Sequence, residues 1–109
     1  MIRMLPIFLL AIIGFVSPAI ADDDLLRVES TEVIVADFGR EIVGVAHSTT
    51  DEIIASVSLT FNLYDQSGAK VGEAHAIGNH IEPGVPWRFR AVFTEPSATS
   101  YRLVNILAF

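Results

Sequence analysis

The chain has 109 residues, of which 13 are acidic and seven basic, and it contains no cysteine. This length provides room for one domain. A net charge of −6 repels phosphate backbones, so binding to nucleic acid is not expected. Without cysteine, neither a disulfide nor a lipid anchor on an N-terminal cysteine can form, and packing alone must stabilise the fold.

The first 21 residues have the layout of a secretory signal peptide. Arg3 precedes an uncharged apolar run over residues 5–16, and Ala19 and Ala21 place small residues at positions −3 and −1 of a cleavage site. We therefore predict a signal peptide over residues 1–21.

The mature domain would be residues 22–109, with six bases, 13 acids and a net charge of −7. It would reside in the periplasm or be secreted, without stable membrane insertion. The alternative is an uncleaved anchor, because residues 4–21 are uncharged and at the lower length limit of a spanning helix. Pro6 and Pro18 argue against that anchor.

Residues 55–64 alternate strictly between apolar and polar side chains. The apolar positions are Ala55, Val57, Leu59, Phe61 and Leu63. Because successive side chains of a strand point to opposite faces, this pattern predicts a central strand with one buried face. The following residues, 65–68, begin with Asp and end with Gly, as a type I turn prefers.

Weaker alternation or β-branched runs predict the other strands. These lie at residues 26–29 (continued past a bulge by 33–35), 41–47, 70–77, 86–94 and 100–109. The strand at 70–77 would form a hairpin with the central strand and end at Gly78-Asn79-His80. Gly44, inside the strand at 41–47, indicates a close backbone approach or a bulge. Six or seven short strands without a capped helix predict an all-β, antiparallel β-sandwich.

The last predicted strand is apolar on both sides. If the side chains simply alternate, one side of this strand carries Tyr101, Leu103 and Leu107. The other side carries Arg102, Val104 and Ile106. This pattern indicates a strand that is covered on both faces or that presents a partner surface.

Phe61-Asn62-Leu63-Tyr64-Asp65 followed by Gly68 resembles the motif of the FxLYD domain family. The flanking matches are Ile42-Val43-Gly44-Val45 before the motif, and Pro83-Gly84 and Trp87-Arg88-Phe89 after it. The resemblance covers roughly residues 41–94 and extends more weakly to residue 106. It implies an exported, immunoglobulin-like β-sandwich with no catalytic residues and no cofactor. The family often has Asn where this chain has His47, so a different shape is expected for the following loop.

The motif also has a direct physical interpretation. Phe61 and Leu63 would anchor the core, and Tyr64 would place its ring against the neighbouring strand. Asp65 would accept backbone N–H bonds in the turn. These roles describe a folding motif.

The sequence offers three sets of candidate chemical groups. His47, His75 and His80 are potential metal ligands, but their spacing favours separate surface histidines. Arg88 and Arg90 share one face of a strand, and together with Arg102 on a neighbouring strand they could clamp a carboxylate or phosphate. Cross-strand pairing with Glu73, Glu82 or Glu95 is the simpler expectation.

His47, Ser48 and Asp51 are adjacent in the sequence, but adjacency alone does not make a catalytic triad. The chain also lacks a nucleophile elbow, a phosphate-binding loop and a dinucleotide fingerprint. We therefore expect a non-enzymatic interaction module whose partner is an envelope or extracellular protein, or a second copy. The alternative is a ligand- or metal-binding protein that uses the histidines or the arginine face.

Overall fold

A computed structural model describes residues 21–22 and 25–109. The predicted signal peptide lies outside the described residues, apart from Ala21. The described residues form seven strands: β1 Ala21–Asp22, β2 Leu26–Ala36, β3 Gly39–Ser48, β4 Ile54–Tyr64, β5 Lys70–Ile81, β6 Trp87–Phe93 and β7 Ser100–Ala108. In this part of the chain, no residue is helical.

The strands form two antiparallel sheets. The first sheet has the order β1-β2-β3-β6, and the second has the order β5-β4-β7. The chain changes sheets between β3 and β4, between β5 and β6, and between β6 and β7. This arrangement confirms the predicted all-β, antiparallel sandwich, with β4 in the centre of its sheet.

The strand order matches that of an immunoglobulin-like sandwich. In that fold, strands A, B and E are neighbours in one sheet, and C′, C and F are neighbours in the other. Here β2, β3 and β6 take the first set of positions, while β5, β4 and β7 take the second. The last strand of that fold, strand G, pairs with F on the side away from C.

The core lies between the two sheets and consists of the inward-facing residues of every long strand. The buried apolar residues are Leu26, Val28, Val33, Ile42, Ala46, Ile54, Val57, Leu59, Phe61, Leu63, Ala74, Ala76, Ile81, Phe89, Ala91, Phe93, Ala98 and Tyr101. Phe61 joins the layers, because its ring stacks on Phe89 of the opposite sheet with centroids 6.1 Å apart. It also meets Tyr101 of its own sheet edge to face at 6.0 Å.

Gly44 and Gly78 each provide space for an aromatic ring from β6. A Cβ atom added to Gly44 would lie 2.6 Å from Cζ of Phe89 and would overlap the carbonyl oxygen of Ser30. A Cβ atom on Gly78 would lie 2.5 Å from Cζ2 of Trp87. A larger side chain at either position would therefore displace a ring.

The predicted end of β5 at Gly78-Asn79-His80 is wrong. The strand continues to Ile81, and Gly78 pairs with Val57 of β4. Because Trp87 covers Gly78 from the other sheet, the position is part of the packed structure rather than a loop. His80, inside this part of the strand, has a positive φ of 55°.

Bulges in β2 and β7 explain where the alternation of inward and outward side chains is interrupted. The register of β2 shifts between Val28 and Ser30, as predicted. A second shift lies in β7, where Thr60 pairs with Asn105 but Phe61 pairs with Leu103. The extra residue, Val104, reverses the alternation after it. The predicted sides of Ile106 and Leu107 are therefore wrong: Ile106 packs against the core, whereas Leu107 is exposed.

Replacing Phe61 with alanine should lower the free energy of unfolding by about 3–5 kcal/mol, because it removes the ring that contacts both layers. A loss of this size approaches the whole stability of a small domain. Chemical denaturation should show it, whereas Ile77→Ala, on an exposed side chain, should change stability by less than about 0.5 kcal/mol. A Phe61→Ala variant that melts within a few degrees of the parent would contradict this description of the core.

Candidate functional site

The three histidines lie apart, and each is close to a single glutamate. The pairs, measured from Nε2 to the nearer carboxylate oxygen, are His47–Glu29 at 3.2 Å, His75–Glu73 at 3.4 Å and His80–Glu82 at 3.8 Å. Across residues 25–109, no three His, Asp or Glu side chains come together in a group able to hold a metal ion. The structure therefore does not bring the three candidate histidines together.

The three arginines do not form one face. Arg88 and Arg90 belong to β6 in the first sheet, and Arg102 belongs to β7 in the second. The prediction that Arg102 lies on a strand neighbouring β6 is wrong, because the chain changes sheets between them. The guanidinium of Arg102 lies over the Tyr64 ring, with Cζ 5.7 Å from the ring centroid.

Arg90 pairs with an acid, but not with one of the three predicted acids. Its Nη2 donates to Oε2 of Glu41 at 2.8 Å. The partner comes from β3, which is the strand hydrogen-bonded to β6. The Glu41 side chain is only 8% exposed, whereas that of Arg90 is 66% exposed. Glu41 is thus a nearly buried carboxylate that is paired with a guanidinium reaching it from solvent.

The loop after β3 does not assemble a catalytic pair. Ser48 Oγ lies 3.3 Å from both the carbonyl oxygen and Oγ1 of Thr50, and it accepts a bond from the Thr50 N–H at 3.2 Å. His47 is engaged instead with Glu29. Ser48 therefore shapes the loop, and it has no base positioned to activate it.

The second half of the FxLYD-like motif forms the turn between β4 and β5. Oδ1 of Asp65 accepts bonds from the backbone N–H of Ser67 at 2.9 Å, from the N–H of Ala69 at 3.0 Å and from the Ser67 hydroxyl at 2.6 Å. The hydroxyl bond, followed by the Ala69 amide, lowers the pKa of Asp65 below its ordinary value. Gly68 completes the turn with a φ of 89°. These contacts stabilise the turn.

Glu73 also has a lowered pKa, for a different reason. Nζ of Lys70 donates to its Oε2 at 2.7 Å, and the hydrogen bond and charge of Lys70 both favour the ionised carboxylate. The pair occupies the exposed face of β5. The β5 edge of the second sheet therefore carries charged side chains.

The opposite edge of the second sheet, formed by β7, is different. One side of β7 pairs with β4, and no strand among the described residues pairs with its other side. In an immunoglobulin-like sandwich this is the position next to strand F that strand G fills. We call the segment Leu103 to Phe109 with this unpaired side the β7 edge.

The side chains of the β7 edge are almost all apolar, and none is charged. Val104, Leu107 and Phe109 are exposed, the last two by 51% and 72%. Leu103 and Ile106 face the margin of the core but stay only partly buried. Of the apolar residues that the sequence indicated on β7, Val104 and Leu107 therefore remain uncovered in the described structure, whereas Tyr101 is buried and Leu103 and Ile106 are partly buried.

Among the described residues, some backbone groups of the β7 edge have no partner strand. Ser56 and Phe109 exchange two N–H···O bonds of 3.1 Å each. Antiparallel residue pairs alternate between hydrogen-bonded and non-hydrogen-bonded. Leu107 therefore also bonds to β4, whereas the N–H and C=O groups of Ile106 and Ala108 point away from β4. A fully extended neighbour could bond to those groups.

The other sheet edges carry the features by which proteins prevent strand addition. Their charged residues are Lys70 and Glu73 on β5, Arg88 and Arg90 on β6, and Glu29 and Glu32 on β2. Part of β2 is also covered by β1. Charged side chains and short covering strands both block edge-to-edge pairing. Within the described structure, the β7 edge is thus the one best suited to receive a strand.

Comparison of the chain with protein-family models, with curated proteins and with solved structures found no match. Among the described residues there is no helix with the length and hydropathy needed to cross a membrane. The FxLYD resemblance therefore rests on the motif residues themselves.

Replacing Arg90 with alanine should destabilise the protein by about 1–3 kcal/mol, because the nearly buried Glu41 carboxylate would lose the hydrogen bond that it accepts from Arg90. Arg88→Ala is the matched control: it removes an exposed guanidinium from the same strand and should cost less than about 0.5 kcal/mol. Urea denaturation of both variants at neutral pH measures the difference. Equal effects of the two substitutions would mean that the Arg90–Glu41 pair contributes nothing specific.

Proposed function

We propose that this chain is an exported, non-enzymatic interaction module that binds protein by strand addition at the β7 edge. The observation that carries the proposal is a set of backbone groups, unpaired within the described residues, along the part of β7 that follows Arg102 and has no charged side chain. In strand addition, main-chain hydrogen bonds give affinity, while contacts of alternate side chains give specificity.

The placement of the polar side chains supports a binding role over a catalytic one. Ser48 bonds to Thr50, and the histidines lie beside separate glutamates. A catalytic site needs a nucleophile, a base and an oxyanion-stabilising group in one place. The candidate groups of the described structure are dispersed instead over two sheets and their loops.

The leader-like residues 1–21 support export to the periplasm or beyond the cell. The resemblance of residues 61–65 to the FxLYD motif supports the same assignment, because that family is exported and has no defined activity. An apolar strand edge is also a hazard unless it has an occupant, since unprotected edges pair without control. An exported module with a dedicated partner avoids that hazard.

Photo-crosslinking in the producing cell tests the proposal. Benzoylphenylalanine placed at Leu107 should give a covalent adduct, because that side chain is exposed beside the unpaired backbone. Ile77 is the matched control: it is 71% exposed, and both residues pair with Ser58 from opposite sides of β4. We expect an adduct from Leu107 and none from Ile77.

The variant Ala108→Pro provides a second control for the same experiment. Proline removes the outward N–H of Ala108 but no bond to β4, and prolines are tolerated on edge strands. It should abolish the adduct formed from Leu107. An adduct that persists in this variant, or that forms equally well from Ile77, would overturn binding by strand addition.

A further inference from the structure

We propose that the occupant of the β7 edge is the same strand of a second copy, in an antiparallel arrangement with the two-fold axis at Leu107. This inference rests on the proposed function of the β7 edge and adds the identity of the partner. The two sandwiches would then share a continuous six-stranded sheet of order β5-β4-β7-β7-β4-β5. A two-fold dimer of this kind uses one surface patch twice and closes on itself.

The backbone pattern is self-complementary in this register. With Leu107 opposite Leu107 of the second copy, Ile106 lies opposite Ala108 of the second copy, and Ala108 opposite Ile106. These are the residues whose N–H and C=O groups point away from β4. Each of the two pairs can therefore exchange both hydrogen bonds. The register also avoids the bulge at Val104, which would interrupt a longer pairing.

The side chains match on both faces of the joined sheet. On the core side, Ile106 of each copy would meet Ala108 of the other and lose its remaining contact with water. On the outer side, the two Leu107 side chains would pack together, since residues of a non-hydrogen-bonded pair bring their side chains closest. Phe109 would lie across Asn105 of the second copy. Burial of these apolar surfaces drives the association.

The charge distribution favours a second copy over a charged partner. The chain as a whole carries a net charge of −6, which opposes self-association. Residues 103–109 have no charged side chain, so two copies can meet there without placing like-charged side chains opposite each other. An acidic or basic segment from another protein would gain no ion pair along these residues.

The expected affinity is modest, because the pairing spans about five residues on each copy. This contact is smaller than the roughly 1,600 Å² of a standard stable interface, which places it among weak or transient associations. A dissociation constant on the order of 10–100 µM is therefore expected. Concentration in a confined compartment or tethering to a surface would raise the dimer fraction.

The experiment is sedimentation velocity of the exported protein, with its leader processed as in the producing cell, from about 1 to about 500 µM. The weight-average mass should rise towards twice that of the monomer over this range. Leu107→Lys and Ala108→Pro should each weaken the association by at least about tenfold. Ile77→Lys, which places the same charge at the same level of the sheet on the β5 edge, should leave it unchanged. Thermal melts within a few degrees of the parent establish that each variant is folded.

A cysteine variant tests the register directly. The chain has no cysteine, so Leu107→Cys introduces a single thiol. Residues facing each other in a non-hydrogen-bonded pair have Cα atoms about 4.5 Å apart, a separation at which a disulfide can form. Under mild oxidation Leu107→Cys should form a covalent dimer at least about tenfold faster than Ile77→Cys, because only Leu107 lies on the proposed axis.

The outcomes separate this inference from the proposed function. Dimerisation that is sensitive to Leu107 and Ala108 but not to Ile77 supports both. A monomer at every concentration, together with a Leu107 adduct of another mass in the cell, overturns the second copy and leaves strand addition standing. A monomer without any adduct overturns both, and a dimer that is insensitive to the β7 variants overturns the β7 edge as its interface.

Discussion

The contact of Phe61 with Phe89 holds the two sheets of this molecule in register. Phe61 lies in the second half of β4, and β4 hydrogen-bonds to β5 on one side and to β7 on the other. The inward side of β4 must be apolar for this contact to form, and Val57, Leu59 and Leu63 provide that side together with Phe61. The predicted alternation is wrong at Ala55, which is exposed, whereas Ile54 is buried. The glycines at positions 44 and 78 then leave room for the two large β6 rings that fill the opposite layer.

Local patterns in the sequence predicted the features that depend on neighbouring residues. The alternation of residues 55–64 gave the central strand, and Asp65 and Gly68 gave the turn that follows it. The bulge in β2 was also visible, as a change of pattern after Val28. The position of Gly44 indicated the close approach that the structure shows. The signal itself is local in each case, although Ser30 and Phe89, the residues that approach Gly44, come from other strands.

The features that the sequence did not predict depend on contacts between distant strands. In the sequence, Gly78 indicates the end of a strand. In the structure, Trp87 of the other sheet covers Gly78, and the strand continues. The bulge at Val104 arises from pairing with β4 and leaves no mark in the residue pattern of β7. The pairing of Arg90 with Glu41 requires β3 and β6 to be neighbours, although they are about 50 residues apart in the chain. The sequence indicated a partner surface on β7, but not which side chains or backbone groups form it.

Charged side chains lie along the other long edges of the described sheets, whereas on β7 the only charged residue is Arg102, which precedes the β7 edge. This contrast within one small domain connects the fold to the proposed role. A domain that only needed stability would gain from a charged residue within the β7 edge itself, since an open apolar edge promotes uncontrolled pairing. Retention of an uncharged edge is consistent with an edge that has a defined occupant, and the symmetric placement of Ile106 and Ala108 around Leu107 suits an identical strand.

Residue-resolved amide hydrogen exchange as a function of protein concentration tests this account most directly. In dilute solution, the amides of Asn105 and Leu107 should be protected by β4, whereas those of Ile106 and Ala108 should exchange freely. At high concentration, Ile106 and Ala108 should gain protection while the amides of β5 stay unchanged. If Ile106 and Ala108 are already protected in dilute solution, or if concentration does not affect them, the β7 edge is not an open site for a second strand.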